Sequence, residues 1–254
     1  MSEIIFQHTY QDIISLENLL EAWKEFVRGK RARTDVQVFE RNLMANIISL
    51  HSDLTEKTYA HSKYKAFKIS DPKPRDIHKA SVRARLMHHA LHRKLSPFFS
   101  KIFIADSYSC QIGKGTHRAI RRFDQFLNIV SRNDAGTCWV LKCDIKKFFA
   151  NIDQTILLKI IGRHIQDKDI LWILSVIIGS FNSGTAGVGL PLGNLTSQLL
   201  VNVYMNEFDQ FVKHKLKAKY YIRYADDFVV LFHDRKELER ILPLMETFLK
   251  EKLK

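Results

Sequence analysis

The chain has 254 residues, 46% of them hydrophobic and 26% charged, enough to bury a real core in one large domain or two small ones. Its 40 Lys+Arg against 27 Asp+Glu give a formal charge of +13, which favours a polyanionic partner such as nucleic acid, while ribosomal or membrane-surface binding would fit the charge as well. Cys110, Cys138 and Cys143 form no C-x-x-C pair and read as buried thiols of a reducing compartment, and no signal peptide or bilayer-length apolar run is present, so the expectation is a cytoplasmic protein with no membrane partner.

The first predicted helix carries Leu16, Leu19, Leu20, Trp23, Phe26 and Val27 on one face and stops at Gly29. A second helix follows with Val36, Phe39, Leu43, Ile47 and Leu50. From Tyr59 to Ile77, aromatic and β-branched residues alternate with Lys around Pro72 and Pro74, the pattern of a hairpin. Val82, Leu86, Ala90, Leu91 and Leu95 stripe the next helix, which Pro97 is expected to end. Gly113 and Gly115 mark a loop before a helix with Ile120, Phe123, Leu127 and Val130 inward. Residues 137–143 are almost continuously apolar, the mark of a buried strand, and Asp153 reads as the N-cap of the helix after it. The apolar stretch around Ile170 to Phe181 predicts a buried helix. Gly184, Gly187, Gly189, Pro191 and Gly193 make an irregular loop, and a long helix runs from about Leu195 to Leu216. Residues 220–232 predict two strands around a tight turn, and the tail after Arg235 is helical, kinked or begun by Pro243.

Two acidic sites stand in apolar strand surroundings. Asp144 ends the first strand of this half, and Asp226 and Asp227 occupy the turn of the hairpin. A carboxylate beside a buried strand is costly unless neutralised, and adjacent carboxylates repel unless a cation lies between them. Two Mg²⁺ ions, which take hard oxygen ligands and lie roughly 3.5–4 Å apart in such sites, resolve both problems, with Mn²⁺ as a substitute. Taken singly, an Asp-Asp pair in a turn is turn chemistry and an Asp after a strand is a helix cap. Their combination, with a G-x-P-x-G loop and a long helix between them, is far less expected by chance.

The ordered segments CDIKKFF (143–149), GLPLGNLTSQ (189–198) and YADDF (224–228) resemble the three palm motifs of reverse transcriptases. Upstream, KPRDI (73–77), RARLMHHAL (83–91), LSPFF (95–99) and DSYSCQIGKGTH (106–117) resemble the fingers motifs. The resemblance covers roughly residues 15 to 235 and is nearest to the enzymes of diversity-generating retroelements, through the AWKEFVRGK segment and the Ser197-Gln198 pair. Retron and group II intron enzymes are similar, and a non-catalytic RNA-binding protein on a polymerase fold is the reading from another class.

The resemblance implies an α+β right-hand polymerase whose palm is an antiparallel sheet with helices on one face. It implies fingers over 1–105 and 153–196 and palm over 106–152 and 197–254. It implies further a primer grip and thumb beyond these residues, absent through truncation or else supplied by a partner, with truncation the preferred expectation, so that this chain would hold template–primer weakly. Asp144 and Asp226 would ligate metal, Asp227 would assist, and the Ile145 carbonyl would bind the ion that carries the triphosphate. Phe149 would be the steric gate against a ribose 2′-OH, with Phe148 on the opposite face of an extended strand and in the core. Lys73, Arg75 and Arg85 would contact the triphosphate, with Arg83 an equal competitor of Arg85. Pro191, Leu192, Gly193 and Gln198 would shape the nascent base pair. Leu192, standing where many relatives carry Gln, implies error-prone copying. Lys114, Arg118, Arg121, Arg122 and Tyr224 would grip nucleic acid, as would the run at 213–219. The implied partners are an RNA template, a DNA or RNA primer, dNTPs and a basic accessory protein of the retroelement. His88 and His89 are expected to make hydrogen bonds and not to ligate metal.

Overall fold

The computed structural model describes residues 4–70 and 74–254, so Lys73 lies outside the described residues. Helix α1 (Tyr10–Ile14) opens on a capping box in which Thr9 and Asp12 satisfy each other's backbone N–H groups. Helix α2 (Leu16–Phe26) is capped by Ser15 and buries the predicted stripe of Leu19, Trp23 and Phe26. The single second helix expected is two, α3 (Thr34–Arg41) and α4 (Leu43–Thr55), divided where Asn42 leaves helical angles at φ −120°, ψ 39°. Strands β1 (Lys65–Ile69) and β2 (Arg75–Lys79) form the antiparallel hairpin, with Phe67 opposite Ile77.

Helix α5 (Val82–Phe99) runs through Pro97 instead of ending before it. Proline forfeits one backbone hydrogen bond there, while the added turn buries Phe99 to 2% exposure. After α6 (Thr116–Ser131) come β3 (Trp139–Asp144), α7 (Phe148–Asn151), α8 (Gln154–Gly162), α9 (Lys168–Gly179) and α10 (Leu195–Gln210). Helix α10 continues into one π-helical turn, Phe211–Lys215. Strands β4 (Tyr221–Tyr224) and β5 (Asp227–Phe232) precede α11 (Arg235–Phe248), which begins well before Pro243 and passes through it.

The chain divides into two compact units. The first, Met1–Phe99 with Gln154–Leu199, holds α1 to α5, the β1–β2 hairpin, α8 and α9. Its core contains Ile13, Leu19, Ile47, Leu50, Leu86, Leu91, Leu157 and Ile173, all without solvent exposure.

The second unit, Ser100–Asp153 with Leu200–Lys254, is built on an antiparallel sheet of order β3-β5-β4. Helix α6 packs on it through Phe126 and Val130 against Ile222 and Leu231, while Phe208 of α10 meets Phe228 and Phe248. The protein is thus α+β.

Three expectations fail here. Strand β3 is an edge strand among the described residues, and Trp139 and Val140 are 42% and 41% exposed. Apolar composition reports that a segment fits a pleated surface, not how many neighbours cover it. Ile120 is 52% exposed, and the inward stripe of α6 runs instead through Phe123, Phe126, Leu127 and Val130. The cysteines are free but not buried: Cys110 is exposed, and Cys138 and Cys143 are half-buried. No described helix is long and apolar enough to cross a membrane.

Candidate active site

Hairpin pairing and sheet register assemble the carboxylates. Tyr224 pairs with Asp227, leaving Ala225 and Asp226 as a two-residue turn. Asp227 is therefore the first residue of β5 and not a turn residue as expected. On the other side of β5, Asp144 at the end of β3 pairs directly with the same Asp227. Carboxylate oxygens of Asp144, Asp226 and Asp227 all lie within 4.8 Å of one another, with Asp226 half-buried and the other two exposed. This is the one such group of three or more His, Cys, Asp or Glu side chains among the described residues. Three anions this close repel, and a bound cation relieves the repulsion.

Beyond Asp144 the chain does not stay extended. Lys147 takes left-handed angles (φ 53°, ψ 38°) and starts α7, so Phe148 and Phe149 stand on a helical turn and not on alternate faces of a strand. Phe148 is in the core at 6% exposure, while Phe149 is half-buried, its ring 5.8 Å from that of Phe148 at 76°. Ile145 is half-buried beside Asp144.

The first unit carries a cavity of about 390 Å³ lined by Lys30, Arg33, Lys79, Arg85, Gly193 and Gln198, with Phe26, Phe67 and Ile77. Arg85 reaches Asp35 at 2.5 Å and Lys79 reaches the same oxygen at 2.7 Å. Burial would raise the Asp35 carboxyl, but Lys79 and Arg85 hold it below the usual carboxylate range. The burial of Lys30, next to Arg85 and Arg33, lowers its ammonium pKa. One carboxylate among four cations leaves the cavity strongly positive.

Arg83, the competitor, points elsewhere: it binds Asp53 at 2.6 Å and lies over the Tyr59 ring. Arg75 is exposed on β2. Lys30, Arg33 and Lys79 were missed by sequence reasoning, since single cations on polar helix faces and on a hairpin carry no signal of convergence.

The Pro191–Gly193 loop is strapped to β2 in this unit. The His78 N–H donates to the Leu192 carbonyl at 2.9 Å, and Asn194 Nδ2 donates to the His78 carbonyl at 3.1 Å. Gly193 sits at φ 105°, and a Cβ there would fall 2.8 Å from Ile77 Cγ2, so any other residue is strained and must displace that side chain. Pro191 is buried and Leu192 half-buried.

In the second unit, Lys114, Arg118, Arg121 and Arg122 line a cavity of about 420 Å³. Two of them are engaged internally. Lys114 donates to the carbonyls of Ala105 at 2.9 Å and Ser107 at 2.7 Å, and burial lowers its pKa. Arg122 Nε binds the buried Asp106 at 2.9 Å and its guanidinium covers Phe126, while Lys213 takes the other Asp106 oxygen at 3.0 Å. Arg118 and Arg121 have no carboxylate within ion-pair distance among the described residues and remain open to an anion. Tyr224 is 37% exposed, its hydroxyl accepting from Thr116 Oγ1 at 3.2 Å.

Residues 67–253 match the family described as Reverse transcriptase (RNA-dependent DNA polymerase). Protein YkfC of Escherichia coli (strain K12) is 25% identical over 205 residues, 66% of this chain and 53% of that protein. Group II intron-encoded protein LtrA of Lactococcus lactis subsp. cremoris is 26% identical over 164 residues, 63% of this chain and 24% of that one. Nuclear intron maturase 4, mitochondrial, of Arabidopsis thaliana is 24% identical over 186 residues, 70% of this chain and 22% of that one. The chain thus spans about half of the first relative and under a quarter of the two intron proteins. A chain solved in a partial Cas6-RT-Cas1–Cas2 complex shares the fold, with a TM-score of 0.57 and 20% identity over 97% of this chain and 43% of that one.

Proposed function

The chain belongs to the reverse transcriptase (RNA-dependent DNA polymerase) family, and we propose that it copies RNA into DNA by nucleotidyl transfer from a dNTP to a primer 3′-OH. The observation that carries this is the convergence of Asp144, from the end of β3, with the adjacent Asp226 and Asp227, from the β4–β5 hairpin, onto one point of the sheet. Three hard oxygen donors, partly open to solvent, suit a divalent cation better than they suit any neighbouring side chain. With the Ile145 carbonyl they would hold Mg²⁺, or Mn²⁺ in its place, which when bound activates the primer hydroxyl and neutralises the leaving pyrophosphate.

The chain's own residues do the rest. The carboxylates fix where the reacting groups meet. Arg85, whose planar fork suits phosphate oxygens, stands with Lys30, Arg33 and Lys79 around a positive cavity that would take the phosphates of an incoming nucleotide or of the template. Phe149, half-buried after the Asp144 strand, would lie under the sugar and exclude a 2′-OH. Arg118 and Arg121 would take duplex phosphates. In this reading the unit with the N-terminal helices is the fingers and the unit with the β3-β5-β4 sheet is the palm.

We read the copying as error-prone and as part of a diversity-generating retroelement, supported by Leu192 in the strapped loop and by the Ser197-Gln198 ending of its motif. The curated relatives favour a second reading, an intron-type enzyme. A template repeat paired with a variable repeat beside the gene decides between them.

The enzymatic proposal is tested with Asp144→Asn and Asp226→Asn in primer extension on an RNA template. Each should abolish Mg²⁺-dependent dNTP incorporation with the fold intact, because each removes a ligand charge where charge stabilises the transition state. Activity within a few-fold of the parent for either variant sinks the assignment.

A further inference from the structure

Arg223, three residues before Asp226, is a fully buried cation in β4, an outer strand of the sheet among the described residues. Its five N–H donors are all used. Nε and Nη2 grip the two oxygens of Asp209 at 2.8 and 2.7 Å. Nη2 also donates to Ser107 Oγ at 3.1 Å, and Nη1 donates to Asn202 Oδ1 at 3.0 Å and to the Ala225 carbonyl at 2.9 Å. Asp209 is equally buried and accepts the Tyr221 hydroxyl at 2.7 Å. The backbone of Arg223 is clamped as well: its N–H donates to the Asp106 carbonyl, and its carbonyl accepts from Tyr108 N–H, each at 3.0 Å. Burial alone would lower the guanidinium pKa, but Asp209 overrides it and keeps Arg223 charged.

A buried ion pair is a poor device for stability, since an apolar pair of similar volume fills a core as well or better. What an apolar pair lacks here is the fifth donor. The carbonyl it holds belongs to Ala225, the first residue of the turn, which sits at φ 55°. An L-residue with a Cβ meets steric opposition in that conformation and keeps it only when its surroundings impose it. The Ala225 carbonyl is half of the peptide plane that leads into Asp226. Fixing that plane fixes where the Asp226 side chain leaves the backbone.

We propose that Arg223 is a positioning residue, a buried fork that braces the Ala225 carbonyl so that the Asp226 carboxylate stays with Asp144 and Asp227. The inference rests on reading those three carboxylates as the cation site. Arginine is required because a single ammonium cannot present five donors in one plane to Asp209, Ser107, Asn202 and the turn together.

The test uses the whole chain with Arg223→Lys, with the apolar pair Arg223→Met plus Asp209→Leu, and with Asp226→Asn as reference. Far-UV dichroism and thermal unfolding report the fold. Mn²⁺ binding by electron paramagnetic resonance, without nucleotide or primer, reports the site. Incorporation assays give kcat and the Mg²⁺ concentration at half-maximal rate separately. Folded Arg223 variants should bind Mn²⁺ at least ten-fold more weakly and need correspondingly more Mg²⁺. Adding Ala225→Gly to Arg223→Lys should recover several-fold of that deficit, because glycine adopts the turn conformation unaided. Folded variants that bind Mn²⁺ like the parent overturn the proposal, and so does failure of both Arg223 variants to fold, which would make the pair a plain core element. Parent-like Mn²⁺ binding by Asp226→Asn instead overturns the cation-site reading on which the proposal stands.

Discussion

Acidification should destabilise the first unit through one imidazole. His88 on α5 is 1% exposed. Its Nδ1 lies 2.6 Å from Thr196 Oγ1 and its Nε2 lies 3.1 Å from His61 Nε2. His61 Nδ1 donates to the Ser62 carbonyl at 2.7 Å, so its Nε2 is an acceptor. His88 must then donate from Nε2 and accept the Thr196 hydroxyl at Nδ1, which defines it as neutral. Burial, with His61 and His89 nearby, pushes its pKa from 6.5 down to about 3. Between those values the unfolded chain binds a proton that the folded chain refuses. Stability therefore rises with pH across this window and falls away as pH drops from 6.5 towards 3. The full effect is about 5 kcal/mol, of which about 2 kcal/mol is gone by about pH 5. That is a large part of the 5–15 kcal/mol that holds a typical domain together. Urea unfolding followed by the fluorescence of Trp23 and Trp172, both in this unit, in a Trp139→Phe background that silences the second unit, measures it. The parent should be weakened by about 2 kcal/mol more than His88→Gln between neutral pH and about pH 5. Neighbouring histidines with lowered pKa values, His61, His89 and His92, are present in both proteins, and His92, which is not among the causes of the His88 shift, contributes alike to each. Parallel pH profiles for the two would refute the neutral, buried tautomer.

Phe149→Ala should raise rNTP use relative to dNTP, read as the ratio of kcat/KM for dCTP and CTP, and an unchanged ratio returns Phe149 to a packing role. Gly193→Ala should cost about 1–3 kcal/mol in thermal unfolding, from the positive φ and the close approach to Ile77, and Ile77→Ala in the same chain should recover part of it. Equal melting temperatures for Gly193→Ala and the parent would discard that account. Replacing Lys30 and Arg33 together by Gln should weaken RNA binding and flatten the slope of log K against log salt by about 0.7 for each single-strand phosphate that is no longer neutralised. A parent-like slope would show that the cavity cations face no nucleic acid.

The hairpin that carries Asp226, the helix stripes of Leu19 and Trp23 or of Leu86 and Leu91, and the glycine-rich loop at 184–193 were all legible in the sequence. Each rests on local physics: side-chain period, turn residues and the steric freedom of glycine. The ordered motifs likewise placed Asp144 and Asp227 in one site before any strand was paired. Tertiary structure alone decided that β3 is an edge among the described residues, that Lys147 turns the chain before Phe149, and that Asp227 belongs to a strand. It also sorted the basic residues. Arg85 faces a cavity while Arg83 is tied to Asp53, and Lys114 and Arg122 are consumed internally while Arg118 and Arg121 stay open. It buried Arg223, which the sequence does not single out, as the only arginine among the described residues with no exposure. Period tells which face of an element a side chain occupies. What stands opposite that face comes from chain far away in sequence, and a charge takes its role from that partner.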